Sequence, residues 1–395
     1  MSPRARLAVA VVSTLAVGYV AVGSLLGRAA SDTGYGQLVL FSEVVRLVLD
    51  GYVEPVNLDR TMAGARMGML DALDGDSGYL EDEEFRAYQA GPDPRDAEPG
   101  LGLTRRFAFL AVASVRPDSP AKKAGLRPGD VIKTVDGRHT RSLAAVVGER
   151  LLRGEPGSSV KLQVFRGGSE PKEFTLVRER PVPLHVRSRQ LPDGTGYLRL
   201  PEISARTPAE ARAELEGLRR AGVREMVLDL RDMGPGGPGD GVRVAELFLE
   251  GGVVAKLAGT RFSEQVLAAE PGRQAWSGPL AVLVNAGTSG AGEVVAAALL
   301  DAGRASLVGQ RTFGRAALQR AISLPGGGLV LTVARYVSPK GNAIHGRGLE
   351  PTVRVDLPRA GPDEDEEEPG PPEDGRDPVL EKALETLKGE VRKAA

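Results

Sequence analysis

Cysteine is absent from all 395 residues, which removes disulfides, thiolate nucleophiles and cysteine-ligated metals together. Histidine is nearly absent: His139, His185 and His345 lie far apart and share no ligand spacing, so no metal site and no His-based proton relay is expected. Aromatic residues make up 4% of the chain, with a single Trp. Neither sign of charge dominates, 51 basic against 52 acidic residues, so no field of the nucleic-acid-binding kind covers the chain. What abounds is punctuation, 51 Gly and 28 Pro, which breaks the chain into short elements. The hydrophobic share of 42% and charged share of 26% are those of a folded protein, and the length suits two or three domains.

One apolar run stands out, Leu7 to Leu26, with Arg4 and Arg6 before it and Arg28 after it. Roughly 20 such residues span a hydrocarbon core as a helix, and the short basic start marks an export signal. Ala21-Val22-Gly23 offers small residues to a signal peptidase, but the run continues through Leu25 and Leu26. Residues 1–30 are therefore expected to be an uncleaved membrane anchor, and the rest to lie in the cell envelope, exported across the inner membrane and either anchored or periplasmic. Residues 31–92 read as helical: Val39, Leu40, Val44, Leu47 and Val48 share one face, and Met62, Met67 and Met69 read as core filling.

Residues 96–183 hold short strands and tight turns. Asp118 and Ser119 can cap a short helix that Gly125 ends, Pro128-Gly129 turns the chain into the apolar Val131-Ile132, and Asp136-Gly137 makes a hairpin turn. The string Ser119-Pro120-Ala121 through Ala124-Gly125-Leu126 to Gly129-Asp130-Val131-Ile132 resembles a PDZ domain. That resemblance implies a groove where a partner's carboxyl-terminal tail adds as a strand, with Gly100-Leu101-Gly102-Leu103 presenting N–H groups to its carboxylate.

From 184 to 358 apolar strands alternate with helices, the pattern of an α/β core. A linker over 359–378 follows, with six consecutive acids from Asp363 to Glu368, and then a short amphipathic helix over 379–393. The strings Asp229-Leu230-Arg231, Val284-Asn285-Ala286-Gly287, Thr312-Phe313-Gly314, Ala334-Arg335-Tyr336 and Gly346-Arg347-Gly348-Leu349-Glu350-Pro351 resemble the carboxyl-terminal-processing, or tail-specific, serine peptidases. The resemblance implies a ClpP/crotonase-like α/β core, with an inserted β-rich PDZ domain and an N-terminal helical region. It implies no cofactor and no metal.

Those peptidases use a Ser nucleophile on a strand–helix turn and a desolvated Lys as general base, with a Gln four residues later to orient it. Here the corresponding block reads Thr288-Ser289-Gly290-Ala291-Gly292-Glu293, which puts Gly290 at the nucleophile position. Arg315 stands at the base position, and Gln319 is retained. Gly has no side chain to attack with, and Arg does not deprotonate in a protein. Ser289 and Lys340 are the possible substitutes. Gly236, Gly237 and Ala291 correspond to the oxyanion donors, although Asp232-Met233-Gly234 stands where two Asn residues are usual. The implied function is an extracytoplasmic peptidase homologue without catalysis that binds protein or peptide carboxyl termini, with an active peptidase relative as a further candidate partner. The alternatives are an active endopeptidase with a displaced Ser289–Lys340 pair and a membrane-associated scaffold. No nucleic-acid partner is expected.

Overall fold

The computed structural model describes residues 34–93, 96–141, 143–167, 170–233, 236–356 and 377–394. The described residues up to 65 and those from 66 on form two compact units. In the first, residues 34–51 are helical (α1). The next helix, α2 (Leu58–Asp71), starts at Asn57, whose side chain accepts the Arg60 N–H at 3.0 Å and so satisfies one of the unpaired donors of the first turn. The membrane anchor expected over residues 7 to 26 lies outside the described residues. Among the described residues no helix is long and apolar enough to cross a membrane, and the assignment of membrane anchoring is withdrawn on that finding.

The second unit takes in the end of α2 and goes on to β1 (Gly78–Glu81) and α3 (Asp82–Ala90). Next come β2 (Leu101–Arg106), β3 (Phe109–Val115), α4 (Pro120–Lys123), β4 (Val131–Val135), β5 (Arg138–His139), α5 (Ala145–Leu152), β6 (Ser159–Phe165) and β7 (Lys172–Val177). Their strands form one sheet in the order β2-β3-β4-β6-β7, with β5 on β4. Ser119 caps α4 through a 3.2 Å bond from the Lys122 N–H, and Asp136 and Gly137 take the positive φ values, 46° and 79°, of a tight hairpin turn. Along β6, Val160, Leu162 and Val164 face inward and meet Leu103, Leu110 and Ile132 in one core. Helix α5 lies so close that a Cβ on Gly148 would strike Leu110.

The chain continues through β8 (Arg187–Gln190), β9 (Gly196–Arg199), α6 (Thr207–Arg220), β10 (Met226–Asp229), α7 (Asp240–Ala245), β11 (Gly252–Gly259), β12 (Phe262–Ala269), β13 (Leu280–Val284), α8 (Ala291–Asp301), β14 (Ser306–Gly309), β15 (Ala317–Leu324), β16 (Gly327–Val337), β17 (Val353–Arg354) and α9 (Pro378–Ala394). One sheet runs β17-β14-β13-β10-β9-β8, parallel except for β8. Every residue of β10 and β13 is buried, because both faces are covered. Met226, Leu228, Leu280 and Val282 pack with residues of α6 and α8, while Val227, Ala281, Leu283 and Val308 pack with Val379, Ala383 and Leu387 of α9.

A second, antiparallel sheet runs β1-β16-β11-β12, with β15 also on β16. This arrangement corrects the ClpP/crotonase-like core expected above. The 11-residue β16 is long enough to pair with β15 along its length, with β11 near its end and with β1 near its start. The segment before the PDZ-like region is thereby built into the same sheet as strands that follow it.

Helix α9 is clamped at its start. Arg231 bonds Asp229 at 2.7 Å and Asp377 at 2.7 Å, and Asp229 also accepts from Tyr197 and Arg199. Burial alone would raise the Asp229 carboxyl, but Arg231, Arg199 and Tyr197 hold it below the usual range. Burial and the Asp229 charge push Tyr197 up to about 12. Asp229→Ala would leave two guanidinium groups facing an empty site, so urea denaturation should show a loss of ~3–5 kcal/mol. A loss under ~1 kcal/mol would show that the network is not structural.

Candidate functional site

The strand β13 ends at Val284, and six residues turn the chain into α8. Asn285 builds the turn, its Oδ1 accepting the N–H of Gly287 at 2.9 Å and of Asp232 at 3.1 Å, while its Nδ2 donates to Asp232 at 2.9 Å. Thr288 donates to the Leu230 carbonyl at 2.7 Å, tying the turn to the end of β10. Gly290 then caps α8 at φ 58°, ψ −115°, a conformation costly to residues with a Cβ.

Glu293 lies one turn into α8 and is fully buried. Its carboxylate accepts the N–H of Gly290 at 3.2 Å, of Gly314 at 2.6 Å and of Arg315 at 2.8 Å, and the Thr312 hydroxyl at 2.5 Å. A single carboxylate thus holds the strand–helix turn and the 312–315 loop together. A Cβ built on Gly290 would lie 3.7 Å from the Arg315 carbonyl oxygen. Gly290 and Arg315 are therefore neighbours.

The Arg315 side chain turns to acids, its Nε 3.1 Å from Asp76 and its Nη1 4.0 Å from Glu149. Burial works against its charge, but Asp76 and Glu149 raise its pKa above the ordinary value. Gln319, in β15, makes no side-chain hydrogen bond among the described residues. Ser289 is buried beside Gly290, but Lys340 is not near it: its N–H bonds Asp301, the last residue of α8, at 2.8 Å. An 11-residue helix is about 16 Å long, so Ser289 and Lys340 sit at its opposite ends. Gly236 and Gly237 are exposed, and the Gly236 carbonyl oxygen, an acceptor, would lie 2.7 Å from a Cβ on Gly290. Ala291 heads α8, where no carbonyl of the helix itself can take its N–H. Beside the loop opens a cavity of about 580 Å³, lined among others by Asp76, Arg315 and His345.

In the PDZ-like region Gly100 takes φ 88° and Leu101 to Leu103 begin β2. The Leu103 N–H donates to Glu149 Oε1 of α5 at 3.0 Å. That oxygen is the one facing Arg315. From the other side of the region, Lys122 of α4 pairs with Asp232 at 3.5 Å.

Comparison with known proteins places this arrangement. Residues 194–355 match the model of peptidase family S41, and residues 111–166 that of the PDZ domain. A carboxy-terminal-processing protease of Bartonella bacilliformis is 30% identical over 82% of this chain and 76% of its own length. The chain belongs to the carboxyl-terminal-processing peptidases of family S41. An Arabidopsis thaliana relative, carboxyl-terminal-processing peptidase 2 of the chloroplast, is 34% identical over 79% of this chain, which spans 64% of that relative's length. The solved structure of a photosystem II D1 C-terminal processing protease superposes with a TM-score of 0.68 at 30% identity, covering 80% of this chain and 87% of that one. The α/β core is therefore the S41 fold and not a ClpP/crotonase fold.

In the sequence of this S41 chain Glu293 stands out only as the last residue of the Thr288–Glu293 block, and Asp76 and Glu149 do not stand out at all. A Glu at the third position of a helix is a capping signal that could have marked the first. Nothing local marks the other two. Burial pushes Glu293 up to about 7, against the hydrogen bonds from Thr312, Arg315, Gly314 and Gly290. The folded S41 chain then keeps a proton between pH ~4.5 and ~7 that the unfolded chain has lost, so this group's contribution falls by ~3 kcal/mol as pH rises through that window. His345, lowered mainly by burial, acts in the opposite direction below its unfolded pKa of about 6.5. Urea midpoints at pH 5 and pH 8 for wild type and Glu293→Gln separate the two. The variant should lack the Glu293 component, and identical pH profiles would refute it.

Proposed function

We propose that this S41 homologue has no proteolytic activity and binds protein or peptide carboxyl termini through its PDZ domain, outside the cytoplasm. The observation that carries the reading is the pair of residues gripped by Glu293. Gly290 has no hydroxyl to form an acyl intermediate, and Arg315 has no lone pair to accept a proton. The frame for a dyad stands without the dyad. The separation of Ser289 from Lys340 along α8 argues against a displaced pair. Tail binding is supported by the Gly100–Leu103 segment, where an N–H group of β2 already accommodates a carboxylate, that of Glu149.

Two measurements on the full chain test the reading. A serine-directed fluorophosphonate should leave the protein unlabelled, and peptides with free carboxyl ends should remain intact. Peptides ending in an apolar residue should bind more tightly as free acids than as amides, by ~1.5–3 kcal/mol, the worth of a charge-assisted hydrogen bond. Turnover abolished by Ser289→Ala would overturn the first half, and equal affinity for acid and amide the second.

A further inference from the structure

The cavity beside Arg315 has a wall that the proposed function leaves unused. At about 580 Å³ it falls within the range of ligand sites, and it carries Arg105, Arg106, Arg311, Arg315, Arg335 and Arg347 against two aspartates. Both aspartates are engaged. Asp74 accepts the N–H groups of Asp76 at 3.0 Å and Ser77 at 2.6 Å, and Asp76 faces Arg315. Three of the arginines have acids of their own: Arg105 pairs with Asp71, Arg311 with Glu350 at 3.2 Å and Arg315 with Asp76 at 3.1 Å.

The other three do not. Arg106, Arg335 and Arg347 are exposed and have no acidic partner among the described residues. His345 in the same wall is 9% exposed, and its Nδ1 has no hydrogen-bond partner. The buried Nε of Arg105 has none either. The cavity therefore combines an excess of positive charge with two nitrogens, on His345 and Arg105, that lack a hydrogen-bond partner, beside one such oxygen, Asp76 Oδ1, held by the Arg315 ion pair alone.

We propose that this cavity is a binding site for an acidic peptide segment, whose side-chain carboxylates pair with Arg106, Arg335 and Arg347. The three arginines come from the end of β2, from β16 and from the turn after His345. A single small oxyanion meets one or two such groups, whereas a run of carboxylates meets all three, each able to take a two-pronged guanidinium contact. Nucleic acid fits less well, because Phe313 is the only aromatic besides His345 in the wall on which a base could stack. The site is independent of tail reading, since its ligand needs no free carboxyl end.

The test uses the full chain and a fluorescent peptide of six glutamates with an amidated carboxyl end, read by anisotropy. Binding should weaken as salt rises and fall at least tenfold in the Arg335→Glu, Arg347→Glu double variant, while a peptide of six glutamines should not bind. The milder Arg335→Gln, Arg347→Gln pair should weaken binding with an unchanged melting curve, which separates loss of the site from loss of the fold. Equal binding of the acidic peptide by wild type and either double variant would overturn the proposal. So would equal binding of the glutamine peptide, or tighter binding of inorganic phosphate or a single-stranded oligonucleotide. Failure of tail reading cannot mimic these results, because the probe has no terminal carboxylate.

Discussion

Glu149→Ala is expected to raise the affinity of the full chain for peptides with a free carboxyl end by ten- to a hundredfold. The Leu103 N–H that an incoming carboxylate needs is already bonded to Glu149 Oε1 at 3.0 Å. A ligand must displace that charge-assisted hydrogen bond, worth ~1.5–3 kcal/mol, and each ~1.4 kcal/mol is tenfold in affinity. It must also approach the negative charge that Glu149 carries. Glu149→Gln removes the charge but keeps an acceptor, so its gain should be smaller. Anisotropy with a labelled free-acid peptide and its amide separates these effects. An unchanged affinity, or an equal gain for the amide, would show that Glu149 does not occupy the carboxylate position.

The second large effect concerns catalysis. Gly290→Ser with Arg315→Lys would place a hydroxyl and an amine at the two proposed dyad positions, yet this double variant is expected to stay nearly inert at neutral pH. The new ammonium would stand near Asp76, whose side chain is 3% exposed, and near Glu149. Opposite charges at 3–4 Å hold a Lys in its protonated form, which cannot act as a base. Adding Asp76→Asn and Glu149→Gln should raise peptide hydrolysis about a hundredfold or more, the usual worth of a functioning general base. Ser at 290 also meets the Gly236 carbonyl oxygen at 2.7 Å and a positive φ, so a stability loss of ~1–3 kcal/mol should accompany it. If the double variant matches the quadruple one, the neighbouring acids do not control the base.

Local signals and distant contacts explain what the sequence could reveal. The PDZ string, the apolar strands Met226–Asp229 and Leu280–Val284 and the turn into α8 are written in adjacent residues, through capping, hairpin chemistry and continuous burial. The pairing of Gly78–Glu81 with Gly327–Val330 is not, since the strands lie some 250 residues apart and a four-residue strand carries almost no periodic signal. The same limit hid Asp76 and Glu149, which reach Arg315 from segments with no common pattern. At the site, residue identity alone carries the proposal that Gly290 and Arg315 do no serine–lysine chemistry. Their adjacency depends on Glu293, whose grip only the folded chain reveals.

The Glu293 carboxylate holds three main-chain N–H groups and one hydroxyl, and three of its four partners are therefore supplied by any residue other than proline. Its hold is indifferent to which side chain stands at 315, and at 290 the backbone conformation even favours having none. Chemistry and architecture are thus uncoupled at these two positions. A change of side chain at either position, reactive or inert, therefore leaves the main-chain bonds of the carboxylate in place, and the shape of turn and loop persists whatever chemistry stands there.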